Sequence, residues 1–141
     1  MTATKTTKQG AVIPVLDGEG PWTTEELSEV RGQLVEDIAN YEAKFLAAQA
    51  ELSELLIEGA DGAGRDPADV GSSNFERDQE VSLTANAREL WEQSELALKL
   101  FDEGLYGVCE VCGRPIGKAR LQVFPRATMC VSCKQRTERR A

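Results

Sequence analysis

The chain contains no histidine. That absence removes Ser-His and Cys-His nucleophile pairs, and it removes mixed Cys/His zinc sites. Aromatic residues make up only 6% of the 141, against 28% charged, which argues against one large apolar core. No run approaches the roughly 20 apolar residues of a membrane-spanning helix. The Thr/Lys-rich opening also lacks the apolar stretch of a secretion signal. A cytoplasmic protein is the expectation, in a compartment where thiols stay reduced. Neither a phosphate-binding glycine loop nor an open-sided metal motif is present, so an enzyme is not expected.

Cysteine is scarce, and its placement is informative. The four residues are Cys109-x2-Cys112 and Cys130-x2-Cys133, two matched pairs separated by seventeen residues. Zinc prefers four tetrahedral ligands and accepts thiolates readily, and each Cys-x2-Cys pair lets two sulfurs converge from one tight turn. Four protein ligands leave no position for water or substrate. The expectation is therefore one structural Zn2+, stabilising a module too small to fold on apolar burial alone. Two disulfides would need an oxidising compartment, and a redox Cys-x-x-Cys would need a βαβ context.

Charge is unevenly spread. Residues 105–141 carry eight Lys/Arg against Glu110 and Glu138, a net +6, while residues 1–104 carry 22 acidic and 8 basic groups, a net −14. The basic segment invites a nucleic-acid reading. The blander one is charge balance, since four thiolates with Zn2+ add −2 to the module. The acidic remainder would repel phosphate, so independent DNA binding is not expected.

The rest reads as helix. Thr23-Thr24-Glu25-Glu26 is a capping box at a helix start. Leu27, Leu34, Tyr41, Ala48 and Leu55 recur every seven residues, with Ile38, Phe45 and Leu52 as the complementary row and Arg31 breaking it near its start. Glycines and Pro67 then form a turn, and helix resumes between Ser72 and Arg77. Val81, Leu83, Ala87, Leu90, Trp91, Ala97, Leu98, Leu100 and Phe101 are expected on its apolar face, with Gly104 as its terminator. The predicted fold is mainly α: a long antiparallel two-helix coiled-coil hairpin over 22–104, about 50 Å long, with its tip at about 59–75. It is followed by a small C4 zinc-finger globule with a short C-terminal helix over 105–141. Residues 1–21, a mixture of Thr, Lys, Gly and Pro with a short apolar patch at Val12–Leu16, read as a flexible tail.

The stretch Leu105-Tyr-Gly-Val-Cys109-Glu-Val-Cys112-Gly-Arg-Pro-Ile-Gly-Lys-Ala-Arg-Leu121, with Phe124-Pro-Arg-Ala-Thr-Met-Cys130-Val-Ser-Cys133-Lys, resembles the C4 zinc finger of the DksA/TraR family. Asp66-Pro-Ala-Asp69, followed by Glu76 to Leu83, resembles the tip and second helix of the same family; the first helix matches only in heptad character. The resemblance implies a transcription regulator that binds RNA polymerase and inserts its coiled-coil tip into the secondary channel. Asp66 and Asp69 would then act electrostatically near the active site. Without the resemblance, both aspartates read as turn formers or helix caps. The family's Asp-x-x-Asp-x-Ala tip ends here in Gly71, and the segment from tip to helix is a few residues longer. Lys134 matches a basic residue that some members use toward polymerase or guanosine tetraphosphate. Phe124 stands where another basic residue is expected, which argues against an alarmone response. A monomer is expected. The alternatives are a zinc-ribbon nucleic-acid module or a coiled-coil adaptor.

Overall fold

The structure, a computed structural model, describes residues 13–60 and 67–140. Its helices are α1 (Thr24–Ala60), α2 (Pro67–Glu103), α3 (Lys118–Val123) and α4 (Val131–Arg140). The one strand-type pairing among the described residues is an isolated antiparallel bridge, Val108 to Pro115. No helix among them is long and apolar enough to cross a membrane. The mainly helical fold with a C-terminal cysteine cluster is as expected. Two compact units divide the chain: a finger unit, reaching to Asp37 and resuming at Gln93, and a hairpin unit, Ile38–Glu92.

Both helix-end signals are realised in the finger unit. At the start of α1, Glu26 N–H donates to Thr23 Oγ1 (3.1 Å) and Thr23 N–H to Glu26 Oε1 (3.0 Å), which closes the capping box. At the end of α2, Leu105 N–H donates to the Leu100 carbonyl (2.8 Å) and Gly104 N–H to that of Phe101 (3.2 Å). Gly104 has φ 77°, the left-handed backbone this Schellman closure requires. Arg31 does break the heptad row. Val30 turns inward in its place, and the Arg31 guanidinium forks onto Asp102 of α2 at 3.0 and 3.2 Å. The core of this unit joins Val30 and Leu34 of α1, Ala97 and Phe101 of α2, and Tyr106, Ile116 and Leu121 of the finger. Phe101 and Tyr106 meet edge to face at 5.3 Å, and the Tyr106 hydroxyl donates to the Pro125 carbonyl (2.7 Å).

The described part of the N-terminal tail departs from expectation. Ile13 is a buried member of that same core, together with Trp22 at the entry to α1. The segment from Ile13 to Pro21 is a strap across the finger, held by apolar contacts of Ile13 and Leu16 and by the hydrogen bonds of Glu19 to α3. Residues 1–12 lie outside the described residues.

In the hairpin unit the heptad positions of α1 are the least exposed: Ile38, Tyr41, Phe45, Ala48, Leu52 and Leu55 are half-buried, and the other described side chains of this stretch are exposed. Facing them, α2 turns inward Glu80, Thr84, Ala87, Leu90 and Trp91. The helices run antiparallel, with the Phe45 and Trp91 rings 5.6 Å apart and Glu51 beside Glu80. Val81 and Leu83 are therefore a correction: both are about half exposed. The inward row steps by four and three residues through 80, 84, 87 and 91, which turns 81 and 83 outward. Thr84 is tolerated in the seam because its hydroxyl donates to the Glu80 carbonyl one turn back (2.7 Å). A second correction concerns the interval between helices. The first helix runs through Gly59 to Ala60 and α2 begins at Pro67, well before Ser72 and within the tip range expected at 59–75. Proline at the first helical position loses no hydrogen bond there, and its fixed φ suits the helix, so it begins the helix rather than delaying it.

Glu51, Glu54, Glu76 and Glu80 line one shallow cavity of about 310 Å3 in this unit. Burial, then the Glu51 charge and its hydrogen bond, hold the Glu80 carboxyl above its ordinary value of 4.5. A carboxyl with a raised folded pKa makes the native state bind more protons than the unfolded chain, so stability falls as pH rises through that window. Glu80→Gln should therefore raise the Tm at pH 7, measured by far-UV circular dichroism. The gain over the parent should vanish below pH 4.5, where Glu80 is itself protonated.

Candidate metal centre

Two short turns build the centre. In the first, Cys109 N–H donates to the Arg114 carbonyl (2.8 Å) and Gly113 N–H to the Cys109 carbonyl (3.0 Å), which folds Cys112 back toward Cys109. In the second, Cys130 immediately precedes α4 and Cys133 sits in its first turn, with Lys134 N–H on the Cys130 carbonyl (2.9 Å). Glu110 N–H to the Thr128 carbonyl (2.9 Å) ties the two turns together.

The four sulfurs lie within 4.8 Å of one another, and Cys112 and Cys130 are 3.8 Å apart. Zinc–sulfur bonds of about 2.3 Å in a tetrahedron set edges of about 3.8 Å, so the donor set fits one zinc ion. All four cysteines are free of disulfides. Their surroundings differ. Cys109 and Cys133 are buried, Cys130 is half-buried and Cys112 is exposed.

The environment also divides the thiols by ionisation. Burial disfavours the Cys109 thiolate, but amide donors from Cys112, Cys130 and Val111 outweigh it and draw its pKa down to about 6. The Cys133 amide leads the contributions that lower Cys130. Burial, then the neighbouring Cys130 and Cys112 thiols, push Cys133 up to about 11, even though Arg136 Nη2 stands 3.2 Å from its sulfur. Four adjacent thiolates repel one another, and a divalent cation among them reverses that cost by deprotonating its ligands. With every ligand supplied by the chain, the centre is structural.

The finger attaches to the rest of its unit through a junction that spacing did not reveal. Gly117, the N-cap of α3, has no side chain with which to cap it. Glu19 of the strap, 99 residues from Lys118 in sequence, takes that role: Oε1 accepts from Lys118 N–H (2.9 Å) and Oε2 from Ala119 N–H (3.0 Å). The amides of Ala119, Lys118 and Leu16 hold the Glu19 carboxyl below its ordinary range. Lys118 in turn reaches Glu26 of α1 (2.6 Å) and the face of the Trp22 ring. That ammonium, followed by the Thr23 amide, draws Glu26 down to about 2. No local pattern in Gly18-Glu19-Gly20 signals a cap for a helix so distant, which is why the residue escaped the sequence reading. Arg136 was visible only as one of many basic residues, although an arginine three residues after a helical cysteine is placed to reach its sulfur.

The other expected residues fall elsewhere. Asp66 lies outside the described residues, and Asp69 belongs to the first turn of α2. Lys134 is on α4, with its ammonium 3.9 Å from Glu138. Phe124 is part exposed beneath the Arg120 guanidinium, 5.8 Å from the ring centre.

Comparison with known proteins agrees with this centre. Residues 104–139 match the prokaryotic dksA/traR C4-type zinc finger. The chain is similar to the RNA polymerase-binding transcription factor DksA of Caulobacter vibrioides, at 43% identity over 75 residues, 53% of each chain. With the protein of the same name from Haemophilus influenzae it shares 36% over 73 residues, 52% of this chain and 50% of the other. The chain thus spans about half the length of the curated relatives it matches. Among solved structures, the transcription factor DksA2 from Pseudomonas aeruginosa is similar with a TM-score of 0.63 and 26% identity, over 94% of this chain and 97% of the other.

Chelation or Cys133→Ser should remove one zinc per chain, measured by metal analysis. The helical signal should fall only slightly, because α3 and α4 hold 6 and 10 residues against 37 in each of α1 and α2. Loss of most of the helical dichroism would contradict the division into units.

Proposed function

The chain is a DksA/TraR family protein by its zinc finger, and on that premise we propose that it is a non-enzymatic transcription regulator that binds RNA polymerase. The observation that carries this reading is the 43% identity to a protein named for polymerase binding, over a stretch of 75 residues. The helical architecture shared with DksA2 supports it. In this reading the zinc centre does no chemistry. It fixes the finger, and Lys134 on the exposed side of α4 contributes a contact to polymerase.

The finer mechanism follows the family resemblance. The tip of the hairpin enters the secondary channel, and Asp66 and Asp69 act there by their charge on the catalytic region. Two carboxylates near a bound metal or a developing phosphate charge alter local electrostatics without holding an ion themselves. Gly71 replaces a methyl-bearing residue of the family tip with a more permissive backbone, which weakens the effect relative to DksA. Phe124 carries no charge for a tetraphosphate, so the regulator acts without guanosine tetraphosphate, and in this reading it binds polymerase as a monomer.

Core RNA polymerase should retain the protein in a pull-down at micromolar concentration. Run-off transcription should change on its addition. The double variant Asp66→Asn/Asp69→Asn should keep binding and lose the transcriptional effect. Absence of any association with polymerase would defeat the proposal, and an unaltered effect of the double variant would defeat its tip mechanism.

A further inference from the structure

The four ligands of the metal centre are not equally reachable. Cys109 and Cys133 are 2% and 1% exposed, whereas Cys112 is exposed and Cys130 half-buried. Those two outer cysteines line a cavity of about 660 Å3. Its opposite wall is the strap, through Val15, Leu16 and Asp17, and Arg136 of α4 also borders it. A metal held by four protein ligands exchanges only when some of them let go, and those that can move into solvent go first.

The strap has fastenings of its own that do not involve the metal. Ile13 packs on Gly107, where an added Cβ would come within 2.9 Å of Ile13 Cγ2. Leu16 packs on Gly117, where an added Cβ would come within 2.8 Å of Leu16 Cδ1. Both glycines also have positive φ, at 89° and 112°, so backbone shape and close approach demand glycine together. The Leu16 amide donates to Glu19 Oε1 (2.8 Å), and that carboxylate caps α3. Leu16 therefore sits at once in the wall of the cavity and in the clasp that fastens the strap to α3.

We infer that the strap, Ile13 to Pro21, gates metal exchange: zinc enters and leaves through the Cys112/Cys130 side, and the docked strap slows that passage. In release, Cys112 and Cys130 dissociate first. An incoming chelator donates lone pairs to the ion in their place, and each freed thiolate takes a proton from solvent. Undocking of the strap widens the path while Cys109 and Cys133 still hold the ion. The strap thereby couples metal lifetime to contacts made far from the sulfurs in sequence.

The test is the rate of zinc transfer from the full-length protein to 4-(2-pyridylazo)resorcinol, followed by its absorbance. Leu16→Ala and Glu19→Gln should each accelerate transfer about fivefold or more, the shift expected from losing one helix cap or its equivalent in packing. Leu83→Ala, on an exposed position of the hairpin unit, should leave the rate unchanged. Rates within twofold of the parent for both strap variants would overturn the gate. A second measurement needs no variant: timed iodoacetamide alkylation of the zinc-loaded parent, resolved by peptide mass spectrometry. Labelling of Cys112 and Cys130 before Cys109 and Cys133 supports the route; the reverse order overturns it.

Discussion

A finger of some thirty-six residues has too little apolar surface to fold on its own, and the rest of its unit answers that constraint. The metal is one part of the answer, since it turns four mutually repelling sulfurs into a cross-link. Borrowed core is the other. Leu121 and Ile116 of the finger are completed by Leu34 of α1, Phe101 of α2 and Ile13 of the strap, segments from both sides of the hairpin in sequence. Full burial of such side chains is worth on the order of 1.5–3 kcal/mol each, so this shared core stands beside the metal as a source of stability. The Glu19–Lys118–Glu26 chain of contacts then fixes how the borrowed pieces meet.

The hairpin unit obeys a different balance. Its seam contains Phe45, Trp91 and aliphatic residues, but also Glu80 and Thr84. Few of its seam positions are fully buried, and four glutamates crowd one cavity. Repulsion among like charges and half-burial of a carboxyl both work against a tight pair of helices. Long helices held by a modest seam depend on length and register more than on any one contact. That also explains why alternate turns tolerate polar residues: each one leaves the neighbouring apolar positions to keep the register.

The parts that could be read from the sequence are those that local rules govern. The capping box at Thr23 and Glu26, the Schellman closure at Gly104 and the heptads of α1 depend on residues within one or two turns, and all appear where expected. The cysteine turns were legible for the same reason. What could not be read depends on distance. Val81 and Leu83 look like core until the polar residues Glu80 and Thr84 are known to face inward, and only the partner helix decides that. Pro67 looks like a breaker but occupies the one helical position that favours it. Glu19 and Ile13 lie in a segment with the composition of a tail, and their roles exist only once α3, Gly107 and Gly117 are brought against them.

The positive charge of the finger takes on a different meaning once its contacts are known. Lys118 is engaged with Glu26 and Trp22, Arg120 donates to the Met129 carbonyl at 3.3 Å and covers Phe124, and Arg136 faces the Cys133 sulfur. Lys134 lies near Glu138 along α4. At least three of the eight basic residues, Lys118, Arg120 and Arg136, thus balance a carboxylate, a carbonyl, an aromatic face or a thiolate within the chain itself. A duplex-binding surface needs several cations directed outward along the phosphate spacing, because affinity comes from releasing condensed counterions. Charges already committed to internal partners release fewer. These contacts make part of the basic segment the counterpart of its own sulfurs and of α1.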